Sequence, residues 1–252
     1  MFAPIAQALI SDAQITSGQT ILDVATGPGE PALSIAAIVG LEGTVWGIDP
    51  APEMVAAARR GANEYGLKNA HFEVAFADNL PFDSDTFDAV VSRFGVMFFP
   101  SPVDGIREML RVLKPNRRLA VAVWYSAEQN PFHYVLSHVV DRYVESPPPA
   151  PDSPDAFRFA DRGKLLDIFM KAGAIESSER LLEFKIEAPL SVEDFWTLRS
   201  QMSDKLRSKL ALLTSAQTAG IRKQVIDGIR EYSSEDGVSF PARVLIMSGS
   251  KQ

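Results

Sequence analysis

Asp23, Gly27 and Gly29 stand close together in the stretch Thr20 to Ala36, TILDVATGPGEPALSIA. It reads as a buried strand (Ile21, Leu22, Val24), a tight turn rich in Gly and Pro, and then a helix. Gly27 and Gly29 have no Cβ to hold a polar ligand away from the main chain at a helix N-terminus. Pro31 falls at a first helical position, where its missing N–H costs nothing. The pattern Gly27-x-Gly29-x-x-Ala32 satisfies the loose dinucleotide fingerprint. Two features lead elsewhere. Pro28 and Pro31 remove amide donors from a turn that would have to cradle a pyrophosphate. Asp23, just before the turn, suits a ligand bearing an ammonium group. An ordinary strand-to-helix turn with a solvated Asp is the plainer alternative.

Further along, Asp49 ends a second apolar strand, TVWGI, and is followed by Pro50. It lies 22 positions beyond Gly27, the distance at which a second-strand carboxylate accepts hydrogen bonds from ribose hydroxyls. A helix N-cap is the bland role for Asp49. Ala77-Asp78-Asn79 follows a third strand and offers a polar pair for the exocyclic amine of an adenine, or simply an Asx turn. Arg93-Phe94-Gly95-Val96-Met97-Phe98-Phe99-Pro100 follows the fourth strand. Large apolar residues at a strand's carboxyl end suit a hydrophobic substrate wall, because ligands of open α/β sheets bind at that edge; helix packing onto the sheet is the alternative. His133, flanked by Phe132 and Tyr134, is the candidate general base over His138, with a structural role for both as the rival reading. Asp and His spacing shows no metal site.

These residues need elements to position them. Strand and helix signals alternate five times up to Trp124, which predicts a doubly wound, mostly parallel sheet. The fifth strand, LAVAVW, is apolar on both faces, as a central parallel strand should be. A short helix is expected before the first strand. Beyond residue 125 the character changes: an aromatic-rich helix over 128–144, a Pro-rich connector SPPPAPDSP, a helix over 163–172, a strand over 178–186, amphipathic helices over 191–232, and a last strand, FPARVLIM. The organisation expected is one domain over 1–252, a core of 1–125 with helical insertions over 126–160 and 190–235 forming a substrate cap. A solvated helical hairpin or a dimer face is the alternative for that cap.

Composition narrows the class. The net charge of −7 argues against nucleic acid, whose phosphates call for clustered Lys and Arg. No cysteine is present, so no disulfide framework, thiolate metal site or thiol nucleophile is available. No apolar run of membrane-spanning length and no signal-peptide pattern occurs, so a cytoplasmic enzyme without integral membrane association is expected.

Four motifs in order, LDVATGPGEPALSIA, GIDPAPEMVAAAR, FADNLPFDSDTFDAVVSRFGVMFF and REMLRVLKPNRRLAVAVW, resemble the class I S-adenosylmethionine (SAM)-dependent methyltransferases, in the group containing the ubiquinone/menaquinone-biosynthesis C-methyltransferases and many small-molecule enzymes. The resemblance covers Ile15 to Trp124, and FRFADRGKLLDIFMKAGA resembles the segment leading to the family's sixth strand. It implies a Rossmann-like sheet of seven strands with SAM as cofactor. It implies that Asp23 and the Ala25-Thr26-Gly27-x-Gly29 turn hold the methionyl end, and that Asp49 with Pro50 takes the ribose. Met54 would pack on the adenine, and Ala77, Asp78 and Asn79 would contact its edge. Ser92 and Arg93 would line the sulfonium, and Phe94, Met97 and Phe98 would begin the acceptor pocket. The family's Gly-Gly turn is replaced by Asn116-Arg117. The segment before the first strand is short, so Phe2 is not expected to cover the cofactor as an aromatic helix does in relatives.

The function expected is methyl transfer by in-line displacement to a small, apolar or aromatic, polyketide- or quinone-like acceptor. Trp124, Phe132 and Tyr134, with Phe94 to Phe99, supply the aromatic content behind that acceptor class. A homodimer is left open. The competing readings are a SAM-binding protein without methyl transfer and a nicotinamide-dependent oxidoreductase. Asn130-Pro131-Phe132 resembles the motif of nucleic-acid base methylators, but it lacks the second proline and follows strand five instead of strand four.

Overall fold

In the computed structural model, residues 2–144, 150, 152–202 and 204–252 are described. The chain divides into two compact units. One comprises residues 2–125, 152–182 and 244–252, the other residues 126–151 and 183–243. Residues 152–160, expected in the first insertion, group with the first unit.

The first unit is built on β1 (Thr20–Val24), β2 (Thr44–Asp49), β3 (Ala70–Val74), β4 (Phe87–Arg93) and β5 (Leu113–Trp124). The strands are joined by α2 (Ala32–Val39), α3 (Pro52–Glu64) and α4 (Pro102–Val112), after an opening helix α1 (Ala3–Asp12). With α6 (Lys164–Ala172), β6 (Ile175–Ala188), the two-residue β7 (Ser233–Ser234) and β8 (Gly237–Ser250), the sheet order is β3-β2-β1-β4-β5-β8-β6, with β7 paired to β8. Seven long strands match the expected number; the eighth is the short arm of a hairpin closed by Glu235-Asp236. The ladders joining β1 to β2, β1 to β4, β2 to β3 and β4 to β5 are parallel, and that between β5 and β8 is antiparallel.

Burial explains the strand sequences. Leu119 to Val123 and Ala89 to Val91 have no solvent exposure, because helices cover both faces of the sheet. α4 places Ile106, Met109 and Leu110 on one buried face at three- and four-residue spacing, with Arg107 and Arg111 outward. Strand β5 starts six residues earlier than the expected Leu119, since Lys114-Pro115-Asn116 continues the strand; Asn116 takes a left-handed backbone there. Strand order reverses between β1 and β4, which opens a crevice at the carboxyl ends of the strands.

The second unit contains α5 (Pro131–Asp141), α7 (Val192–Met202), α8 (Asp204–Ala211) and α9 (Ser215–Ile229). Leu136, Val139, Val140, Trp196, Leu206, Ile221 and Val225 form its core. Thr214 and Gln217 cap α9 reciprocally. Asn130 is buried and structural: its Nδ2 donates to the Arg243 and Ser126 carbonyls at 3.0 and 2.9 Å, and its Oδ1 accepts from Arg243 N at 2.9 Å. That clamp accounts for the Asn-Pro-Phe triplet without any base-flipping role.

Candidate active site

A cavity of about 520 Å³ opens at the carboxyl edge of β1, β2 and β4, and all its lining residues belong to the sheet unit. The glycine turn forms one wall. Thr26 N donates to the Ile48 carbonyl at 2.9 Å, tying the turn to β2. Ala25 and Gly27 adopt left-handed backbones, with φ of 59° and 57°. A Cβ built on Gly27 would meet nothing within 4 Å, so open space lies before the turn. Gly29, at φ 115°, serves a different purpose: its Cβ would lie 2.9 Å from Leu33 Cδ1 and 3.2 Å from Ala58 Cα. Its smallness lets the turn pack on α2 and α3, and Gly29 does not line the cavity.

Asp49 stands in the wall. Its Oδ2 accepts from Gly27 N at 2.9 Å and its Oδ1 from Ala51 N at 3.0 Å. Two backbone donors fix the carboxylate and leave further lone pairs for hydroxyl donors. Pro50, Met54, Ala77 and Asp78 line the same side. Met54, expected to pack on the adenine, is 39% exposed and lines this cavity. Asn79 is exposed and outside the wall; its N–H closes a backbone turn onto the Phe76 carbonyl at 3.2 Å. Phe76 joins the wall instead, a residue the sequence reading missed.

Asp23 departs from expectation. It is fully buried beneath the turn, not in the wall. Its Oδ2 accepts from Thr26 Oγ1 at 2.6 Å and from Ala32 N at 3.2 Å, while Oδ1 has no partner among the described residues. Burial pushes its pKa up to about 7, against the lowering effects of the Thr26 hydroxyl and the Arg93 charge. The carboxylate that reaches the cavity from this side is Glu30.

At the end of β4, Ser92 is buried out of the wall, whereas Arg93 lines it. Gly95 lets the segments that follow β1 and β4 approach closely: a Cβ there would lie 2.5 Å from Ala25 Cβ and 2.6 Å from Ser92 Oγ. Phe94 and Phe98 line the cavity, with Phe99 and Pro100. Met97 is 2% exposed and packs into the core from a short 3₁₀ turn, so it is not a wall residue. Trp124 lies behind Phe94, stacked at 4.3 Å with an 8° interplanar angle. Phe2, which the sequence reading set aside, is in the wall. Its ring meets Phe94 and Trp124 edge-on at 5.9 and 6.0 Å, because α1 returns the N-terminus to this end of the sheet.

Phe132, His133 and Tyr134 lie in the helical unit, and none lines the cavity. Phe132 is 2% exposed, packed edge-on against Phe195 and Phe240, so it serves that unit's aromatic core. Tyr134 stacks on His138 at 4.8 Å. His133 Nδ1 is 3.2 Å from Arg199 Nη2, whose guanidinium also lies 4.4 Å above the Phe132 ring. Burial, and then the Arg199 charge, push the His133 pKa down to about 3. An imidazole held so weakly basic is a poor general base at neutral pH, which goes against the role expected of His133. Among the described residues, no three His, Asp or Glu side chains gather as a metal site would require.

Open space before Gly27, a fixed carboxylate at Asp49 and a second at Asp78 are features that suit a nucleoside-bearing ligand. Sheet order and pocket together define a Rossmann-like nucleotide-binding unit. Residues 21–116 match the family described as Methyltransferase domain. Aklanonic acid methyltransferase DauC of Streptomyces sp. (strain C5) is 33% identical over 119 residues, 47% of this chain and 54% of that protein. Demethylmenaquinone methyltransferase of Chlorobaculum tepidum is 45% identical over 96 residues, 38% of this chain and 37% of that protein. The crystal structure of a SAM-dependent methyltransferase from Aquifex aeolicus is similar with a TM-score of 0.53 at 25% identity, covering 70% of this chain and 82% of that one. The chain spans about half the length of the first curated relatives it matches. Over residues 21–116 the chain is thus similar to the class I SAM-dependent methyltransferases, a class whose cofactor is SAM. No described helix is long and apolar enough to cross a membrane.

Proposed function

We propose that the protein transfers a methyl group from SAM to a small, apolar or aromatic, polyketide- or quinone-like acceptor. The observation that carries this reading is one cavity with two chemically distinct halves. Gly27, Asp49 and Asp78 offer a polar half fitted to a nucleoside; Phe2, Phe94, Phe98, Phe99 and Pro100 offer an apolar, aromatic half. The names of two relatives, a demethylmenaquinone and an aklanonic acid methyltransferase, support the acceptor class.

SAM, when bound, supplies an electrophilic methyl group on a sulfonium. The protein's share is then orientation for in-line attack and exclusion of water, where effective molarities on the order of 10⁵ M account for much of the acceleration. Asp49 would hold the ribose hydroxyls, Asp78 the adenine edge, and Met54 the adenine face. Phe94, backed by Trp124, is a rigid surface for an aromatic acceptor. The net charge of −7 favours a small molecule over nucleic acid, and a cytoplasmic location goes with that reading.

Incubation with methyl-tritiated SAM and a panel of naphthols, hydroquinones, alkyl amines and RNA tests the proposal. Label in the solvent-extractable aromatic fraction is expected. Label in amines or RNA alone contradicts the acceptor class, and SAM binding without transfer to any member favours the non-methylating reading.

A further inference from the structure

Among the described residues, the titratable side chains lining the cavity wall are Glu30, Asp49, Asp78 and the cation Arg93. Arg93 is half-buried and forms no hydrogen bond or ion pair within 4 Å among the described residues, while its guanidinium lies 5.8 Å from the Phe2 ring centroid. Asp23 at the end of β1 and Glu30 in the glycine turn act on it at longer range. Burial nonetheless outweighs them and draws its pKa below the usual arginine value. A cation drawn from water without a bonded counter-ion is poorly compensated, and an anion entering the cavity would compensate it.

A second observation concerns proton removal. Among the described residues, no histidine, tyrosine, lysine or cysteine lines the cavity. Each oxygen of Asp49 accepts from a backbone amide and its remaining lone pairs face the ribose hydroxyls, Asp78 is given to the adenine edge, and Glu30 Oε2 accepts from Ser34 Oγ at 2.7 Å. A hydroxyl acceptor therefore meets no imidazole, phenol or amine base among the described residues of this wall, but it does meet a guanidinium beside aromatic surfaces.

We propose that Arg93 is the anion-recognition residue of the acceptor subsite, and that the acceptor is an acidic hydroxy compound, a phenol or enol, bound as its oxyanion. This rests on the reading of the cavity as a methyltransferase site. The acceptor's proton passes to solvent on binding. The oxyanion is held by the planar guanidinium, with the ring against Phe94 and Phe2. Ionisation favoured by Arg93 takes the place of a side-chain base.

The test is a spectrophotometric titration of 4-nitrophenol bound to protein saturated with S-adenosylhomocysteine, whose neutral sulfur contributes no charge. Phenolate absorbance reads ionisation directly. Because Asp23 titrates in the same range, variants are compared at each pH. The pKa of bound nitrophenol is expected to fall by about one unit in the wild type, a tenfold preference for the phenolate. Arg93→Lys retains part of that shift and Arg93→Gln abolishes it. Neutral 4-nitroanisole binds all three alike, and S-adenosylhomocysteine affinity stays within about twofold.

An unshifted pKa in the wild type, or a shift that survives Arg93→Gln, overturns the proposal. So does a tenfold loss of S-adenosylhomocysteine affinity with the shift intact, which would give Arg93 to the cofactor's own carboxylate. Nitroanisole binding without phenolate preference removes this proposal alone. Failure of both probes to bind removes the apolar-acceptor reading with it.

Discussion

Replacement of Asp23 by Asn changes how stability depends on pH. In the folded protein the carboxyl is raised from 3.8 to about 7 by burial. The folded state thus keeps a proton that the unfolded chain has lost, and wild-type stability falls as pH rises through that window. About two units of the shift lie between pH 5 and pH 7, worth about 2.7 kcal/mol at 1.36 kcal/mol per unit. The amide of the Asp23→Asn variant carries no charge at any pH, and its oxygen can still accept from Thr26 and Ala32. Urea unfolding of the cofactor-free protein at pH 5, 6, 7 and 8.5 gives the two curves. The stability of Asp23→Asn relative to wild type should improve by about 2–3 kcal/mol from pH 5 to pH 8.5, with the change complete shortly above pH 7. A constant offset at all four values would mean that Asp23 is ionised throughout, and would refute burial as the dominant influence on it.

Gly29→Ala places a Cβ 2.9 Å from Leu33 Cδ1 at a backbone φ of 115°. It should cost about 1–3 kcal/mol in denaturant unfolding, and an unchanged midpoint would show that the turn need not pack so closely. His133→Asn should leave the neutral-range pH–rate profile of methyl transfer unchanged, since the imidazole is held neutral. It should also change acid stability. The unfolded chain takes up a proton below about pH 6.5 that the folded wild type refuses until about pH 3, so wild-type stability falls with pH across that window and the variant's falls less. Loss of a rate-controlling ionisation in the variant would restore His133 as a base.

The strands and the glycine turn were legible because buried parallel strands are nearly continuous apolar runs and Gly and Pro mark the breaks between them. Asp49 was legible for the same reason: a fixed β-α-β length carries it back to the turn, where Gly27 N meets it. The direction of a side chain at a strand end was not. Asp23 and Ser92 carry polar groups but are buried beneath the wall, while Glu30 and Arg93 reach it. Met97 and Phe98 are adjacent and similar, yet a 3₁₀ turn buries one and exposes the other. Long-range partners were equally hidden. Phe2 gains its place only when α1 brings it to Phe94 and Trp124. His133 loses its basicity to burial and to Arg199, 66 residues further on.

Calorimetric titration of wild type and Asp49→Ala with SAM, S-adenosylhomocysteine and NADH tests the central claim. The account predicts micromolar binding of both sulfur ligands, no heat with NADH, and a loss of about 1–3 kcal/mol in the variant, roughly 5- to 150-fold in affinity. Binding of NADH in place of SAM, or SAM affinity indifferent to Asp49→Ala, would contradict it.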